Sequence, residues 1–433
     1  MRTILSILLL VTAAIPLHAQ DTTKVYQKTA GKDIFIPQDL QDNDFTRADS
    51  KWSYARMAYT DDVVVFWEKP FGPDPANAPD LDGKNMKVDI PNLLNRVESF
   101  YTFFRDTLKF IGAGSKAEKY RMMVMLNYSL EGTAYGGDYD GTIGALWIAP
   151  NRVQDRKLNC IAHELGHSFQ SQISCDGKGE AWGGGGIFEM ASQWMLWQVN
   201  PDWVTDENYH WEAFKKLTHL AFLHGENIYH SPYVLEFWGE KRGREIIGEL
   251  FRQGKRGEDP LQTYKRINNL SWDEAADEIF ECYRHLITFD FKRVKNVCGK
   301  YANEISTPCA TNEKGWTTVT DLSLPQQYGF NVLPVKIPAK GKKVTAEFQG
   351  DPTAKGTWKV GFVAVKKNGE VVYPEQPSSW RMKNVKLTFK ADDFTQYSHL
   401  WFVVMPVPDE YQSMAGFRRN PNYETFPYRV RFK

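Results

Sequence analysis

The sequence predicts an α+β chain: a mixed strand-and-helix segment, a helical second half to the same domain, and a C-terminal all-β sandwich. Three observations carry that expectation. Before Asp155, runs dense in β-branched, aromatic and methionine residues alternate with one long amphipathic stretch. From Asp155 to about Leu286 most segments place apolar residues at helical spacing. Beyond Pro308, short segments alternate apolar and polar residues between turn signals, as antiparallel sheets do.

The elements follow in order. Arg2 and the apolar run "ILSILLLVTAAI" (4–15) read as a secretory leader over residues 1–19, too short to span a bilayer and ending at small Ala19. That implies a secreted or periplasmic protein with no transmembrane anchor. Residues 20–50 are polar and turn-rich, a loose N-terminal arm. "DDVVVFWEKP" (61–70) reads as a buried strand. Leu93, Leu94, Val97, Tyr101, Phe104 and Leu108 then mark a helix stopped by Gly112. "YRMMVMLNY" and "GTIGALWIAP" (141–150) read as two more strands, the second as an edge against which an extended peptide could lie. Helical stretches include "IFEMASQWMLWQV", "HWEAFKKLTHLAFLH", "SPYVLEFWGEKRGREIIGELFRQ" and "SWDEAADEIFECYRHLI", the last with Ser271 at its N-terminus. Asn368-Gly369 marks a hairpin. The texture changes at 306–315, so the expected domains are 51–305 and 315–433.

The 433 residues are charge-balanced, with 53 basic and 53 acidic side chains. That balance, without a basic run, argues against nucleic acid or an acidic membrane as partner. Of the five cysteines, Cys298 and Cys309 are the preferred disulfide pair, being separated by a short loop.

The chemistry concentrates in "NCIAHELGHSFQSQ" (159–172). Residues four apart share a helix face, so His163 and His167 can offer ring nitrogens to one ion. Leu158, Ile161, Ala162, Leu165 and Phe169 form the opposing apolar stripe. Glu164, about 100° round the helix from His163, can reach a water without joining the ligands. Catalytic zinc needs a third protein ligand. Glu189, opening the next helix, is preferred over Glu180 in the glycine-rich connection, where Gly183 to Gly186 would let the chain turn back. Cys160 reads as a structural thiol, Trp194 and Trp197 as core, and His210, His219, His224 and His285 as packing or surface residues.

Strand, strand, HExxH helix and Glu-bearing helix together resemble the gluzincin zinc metallopeptidases. The stretch "YHSPYVLEFWGEKRG" (229–243) resembles the gluzincin helix that begins with a catalytic tyrosine, which places Tyr229 in that position. The layout also resembles a group of secreted bacterial zincin-like proteins with an HE-x-G-H-x-x-Q helix, an aromatic-Glu second helix, a "TFDF" stretch (288–291) and a "YGFN"-opened β domain (328–331). The resemblance implies a zincin-like catalytic domain and one Zn2+ on His163, His167 and Glu189. It further implies Glu164 as general base and Tyr229, or alternatively His230, as donor to the oxyanion, with a peptide, protein or glycoprotein as substrate. The alternative is a zincin scaffold without catalysis that binds glycans or proteins.

Overall fold

Continuous apolar runs form the centre of the first sheet, because strands covered on both faces leave no position for polar residues. The computed structural model of the chain describes residues 31–179, 182, 185–374, 382–416 and 423–433; the leader at 1–19, residues 20–30 of the arm, Glu180, Gly183 and Gly184 lie outside them. Two compact units arise, one from residues up to 102 with 113–168, the other from 103–112 with 169 onward.

The first unit holds β1 (Met57–Tyr59), β2 (Val63–Trp67), most of α1 (Ile90–Asp106), β3 (Met122–Leu126), β4 (Ala134–Tyr139), β5 (Ile143–Ile148) and the start of α2 (Asn159–Cys175). Its sheet order is β1-β2-β3-β5-β4. β2, β3 and β5 run parallel, while β1 and β4 are antiparallel to their neighbours. β2 and β3 are buried at every residue. The strand expected at the edge, β5, instead lies inside the sheet between β3 and β4. The edge is β4, whose sequence AYGGDY carries two glycines and an aspartate and so hides its strand character.

The helical part of the second unit comprises α3 (Gly186–Val199), α4 (Trp203–Asp206), α5 (Tyr209–Leu217), α6 (Tyr233–Arg242), α7 (Glu245–Gln253), α8 (Pro260–Ile267), α9 (Trp272–Leu286) and α10 (Lys295–Cys298). Its core is aromatic: Trp194, Trp197, Trp211 and Trp238 are fully buried, and Trp238 stacks on Tyr264 with centroids 3.6 Å apart. Glu236 on α6 ties the helices together. It accepts from Trp194 Nε1 at 3.1 Å and Gln198 Nε2 at 2.6 Å on α3, and pairs with Arg293 at 2.8 and 3.0 Å. Ser271 caps α9 as expected, in a capping box with Glu274. Ser271→Ala is expected to lower the melting temperature by about 2–4 °C; a thermal melt superimposable on the parent's would contradict that role.

After α10 the same unit continues as two antiparallel sheets. The strands are β6 (Cys309–Thr311), β7 (Thr317–Val319), β8 (Asn331–Pro334), β9 (Lys343–Gly350), β10 (Gly356–Lys366), β11 (Val371–Val372), β12 (Asn384–Lys390), β13 (Tyr397–Pro408) and β14 (Tyr428–Phe432). Their orders are β11-β10-β13-β8 and β12-β9-β14-β7-β6. Leu333, Val360 and Phe402 of the first and Phe348 and Val430 of the second belong to one buried cluster. The Asn368-Gly369 turn joins β10 to β11, with Gly369 at φ 88°. The pairing expected of Cys298 and Cys309 does not form: both thiols are free, Cys298 buried and Cys309 exposed. Among the described residues no helix is long and apolar enough to cross a membrane.

Candidate metal centre

Helical periodicity builds the centre. On α2 the stripe Ile161, Ala162, Leu165 and Phe169 is buried, as is Leu158 just before the helix, which leaves His163, Glu164 and His167 on the half-exposed side. The two imidazoles meet edge to face with centroids 4.8 Å apart and Nε2 atoms 3.1 Å apart. Glu189 lies in the first turn of α3. One ligand atom from each of His163, His167 and Glu189 falls within 4.8 Å of the others, and all three residues are half-buried. Two imidazole nitrogens with one carboxylate oxygen are a donor set that catalytic zinc takes. Nitrogens on a tetrahedral zinc stand about 3.3 Å apart, close to the spacing seen here.

Glu164 has a partner that the sequence did not announce. The Gly136 N–H of edge strand β4 donates to Glu164 Oε2 at 2.9 Å. That strand runs so close to the helix that a Cβ at Gly136 would stand 1.8 Å from the Glu164 carbonyl oxygen and 2.9 Å from His167 Cβ. Ser168 adds a second tie, donating to the Ala145 carbonyl of β5 at 2.7 Å.

Gln170, the glutamine of the HE-x-G-H-x-x-Q pattern, locks α2 to α3. Its Nε2 donates to the Phe188 carbonyl at 2.9 Å and to Ser192 Oγ at 3.1 Å, one contact just before Glu189 and the other one residue short of a turn after it. Gln170 is buried, so its amide has to find its partners inside the fold.

Tyr229 does not open a helix; α6 begins four residues later at Tyr233, so Tyr229 and His230 lie in the preceding turn. Gln193, one turn beyond Glu189, donates to the Tyr229 carbonyl at 3.2 Å and thereby fastens this turn to α3. Burial, and then the neighbouring His210, push the His230 ring down to about 4, so it is neutral at pH 7. His210, expected to be a packing residue, contacts His230 through Nδ1 at 2.7 Å. Cys160 stands outside the trio, and Trp194 and Trp197 are core residues.

A family model described as a family of unknown function, DUF6055, matches residues 26–433. The chain belongs to DUF6055. No curated protein matches this DUF6055 sequence. Among solved structures, the ZmpB metallopeptidase from Clostridium perfringens is similar at 14% identity and a TM-score of 0.30, over 84% of this chain and 68% of that one. The M60 catalytic domain of ZmpC from the same organism, solved with the sialyl T antigen, is similar at 12% identity and a TM-score of 0.28, over 80% and 68%.

Proposed function

We propose that this DUF6055 chain is an exported zinc-dependent hydrolase, a metallopeptidase acting on a peptide, protein or glycoprotein. The observation that carries the reading is the convergence of two imidazoles and a carboxylate within 4.8 Å, with a third-party carboxylate, Glu164, on the same helix turn. His163, His167 and Glu189 would hold one zinc. Zinc, when bound there, supplies the Lewis acidity that lets water act as a nucleophile near neutral pH. Glu164, steadied by the Gly136 N–H, takes the proton from the attacking water and passes it to the leaving amine. Tyr229 or His230, fastened to α3 through Gln193, donates to the oxyanion.

The edge strand suits an extended substrate. β4 pairs with β5 alone among the described residues, so its outer side can accept an added strand beside Glu164. We read residues 1–19 as the export leader, 51–305 as a gluzincin-like catalytic domain and 315–433 as a two-layer β-sandwich. The buried cluster shared by both C-terminal sheets supports the sandwich.

The purified chain is expected to carry one zinc, to hydrolyse a general protein substrate, to lose that activity on complete chelation and to regain it with added zinc. Hydrolysis that survives removal of all metal would sink the reading. Stoichiometric zinc without hydrolysis of any peptide would leave a metal-holding scaffold instead.

A further inference from the structure

Beside the metal trio, a chain of hydrogen-bonding groups has a polarity that its ends determine. Gln193 is buried, and its Nε2 lies 3.2 Å from both the Tyr229 carbonyl oxygen and His210 Nε2. A carbonyl oxygen only accepts, so the amide NH2 must face it; the flipped amide would set two oxygens against each other. The second hydrogen of that NH2 then points to His210 Nε2, where a ring proton would collide with it. His210 Nε2 is therefore the accepting nitrogen, and a neutral ring carries its proton on Nδ1. His210 Nδ1 is 2.7 Å from His230 Nδ1, and in that pair one nitrogen donates while the other accepts. The donor is His210.

We propose that Gln193 and His210 clamp the tautomer of His230, holding it as a neutral ring with its proton on Nε2. Gln193 and His210 are positioning residues: they act through His230. Glu207 competes for the same end of the relay, with Oε2 3.5 Å from His210 Nε2. That oxygen already accepts from Trp203 Nε1 at 3.1 Å and from the Tyr209 hydroxyl at 3.3 Å, and 3.5 Å is long for a charge-assisted bond. Trp203 and Tyr209 also fix the His210 ring, with centroids 5.2 and 4.3 Å away. Burial opposes a charge on His230, in keeping with a ring held in one neutral form. The purpose of the clamp rests on the hydrolase reading: a fixed N–H donor next to Tyr229 serves an oxyanion without any reorientation.

The test reads protons, not turnover. In the 15N-labelled chain at pH 7, two-bond proton–nitrogen correlations distinguish the two imidazole tautomers, with His210→Gln and His230→Gln spectra assigning the rings. His230 is expected as the Nε2–H form and His210 as the Nδ1–H form. Gln193→Met removes the clamping donor and lets Glu207 draw the His210 proton, so both rings are expected to reverse. The opposite tautomers in the parent chain, a doubly protonated ring, or a folded Gln193→Met variant with both rings unchanged would each overturn the clamp. The parent spectrum decides by itself if the variant does not fold. Hydrolysis is not measured, so the clamp and the peptidase reading stand or fall separately.

Discussion

Glu164→Gln is expected to lower turnover of a protein substrate by about 10²–10⁴-fold, the range that a positioned general base contributes. The substitution changes little else. Glutamine keeps an acceptor oxygen for the Gly136 N–H, now 2.9 Å from Glu164 Oε2, so the β4 edge stays in place. The side chain is the same length, and it is not one of the three groups within 4.8 Å of one another. Metal content is therefore expected to match the parent, whereas His167→Ala should lose metal and activity together. What glutamine cannot do is take a proton from water. A loss of 10²–10⁴-fold corresponds to about 3–5 kcal/mol in the barrier. Elemental analysis beside a rate measurement gives both quantities on one sample. A Glu164→Gln protein with full zinc and parental turnover would remove Glu164 from the chemistry and, with it, the proposed mechanism.

The parts of the fold that were legible in the sequence are those where one physical requirement dominates. The α2 stripe obeys the 3.6-residue period, and its four helical members, Ile161, Ala162, Leu165 and Phe169, are buried. β2 and β3 lie at the centre of a sheet with strands on both sides, and their unbroken apolar runs say so. The illegible parts are those where backbone conformation or a distant contact overrides composition. "SPYVLEFWGEKRGREIIGELFRQ" is apolar enough to be helical on both sides of a glycine, and Gly243 at φ 95° ends α6 before α7 starts at Glu245. "HWEAFKKLTHLAFLH" reads as helical throughout, but α5 stops at Leu217. Residues 218 and 219 instead bond the later chain, the Thr218 carbonyl accepting from Phe330 N and the His219 carbonyl from Gln326 N. Cys298 and Cys309 are near in sequence, but Cys298 is buried at the end of α10 and Cys309 sits on an exposed strand, so proximity along the chain misled. At the candidate centre, spacing places His163 and His167 on one face of α2, and Glu189 lies in the first turn of the next helix. The contribution of Gly136 is invisible, because two glycines and an aspartate lower strand propensity exactly where the fold demands a backbone without a side chain.

Gly136→Ala should therefore do more damage than its size suggests. The new methyl would stand 1.8 Å from the Glu164 carbonyl oxygen and 2.9 Å from His167 Cβ. The nearest obstacle is helix backbone, which has no rotamer through which to give way, so either β4 or α2 must move. Overpacking of this kind costs about 3 kcal/mol, which lowers the melting temperature by roughly 10 °C. The movement also reaches the chemistry. If β4 withdraws, Glu164 loses its N–H partner; if α2 shifts, His167 moves relative to Glu189, and disturbance around a metal's ligands weakens binding by about 10–100-fold. Gly137→Ala is the matched control. On the next residue, a Cβ meets only the Tyr135 ring at 3.1 Å and the rings around it, and Tyr135 is 61% exposed and can swing aside. That variant is expected to keep parental zinc affinity and to melt within about 2–4 °C of the parent. Zinc titration and thermal denaturation of the two alanine variants side by side decide the matter. If they behave alike, the close approach of β4 to α2 does not hold the centre in shape, and the strand is a bystander to the histidine helix.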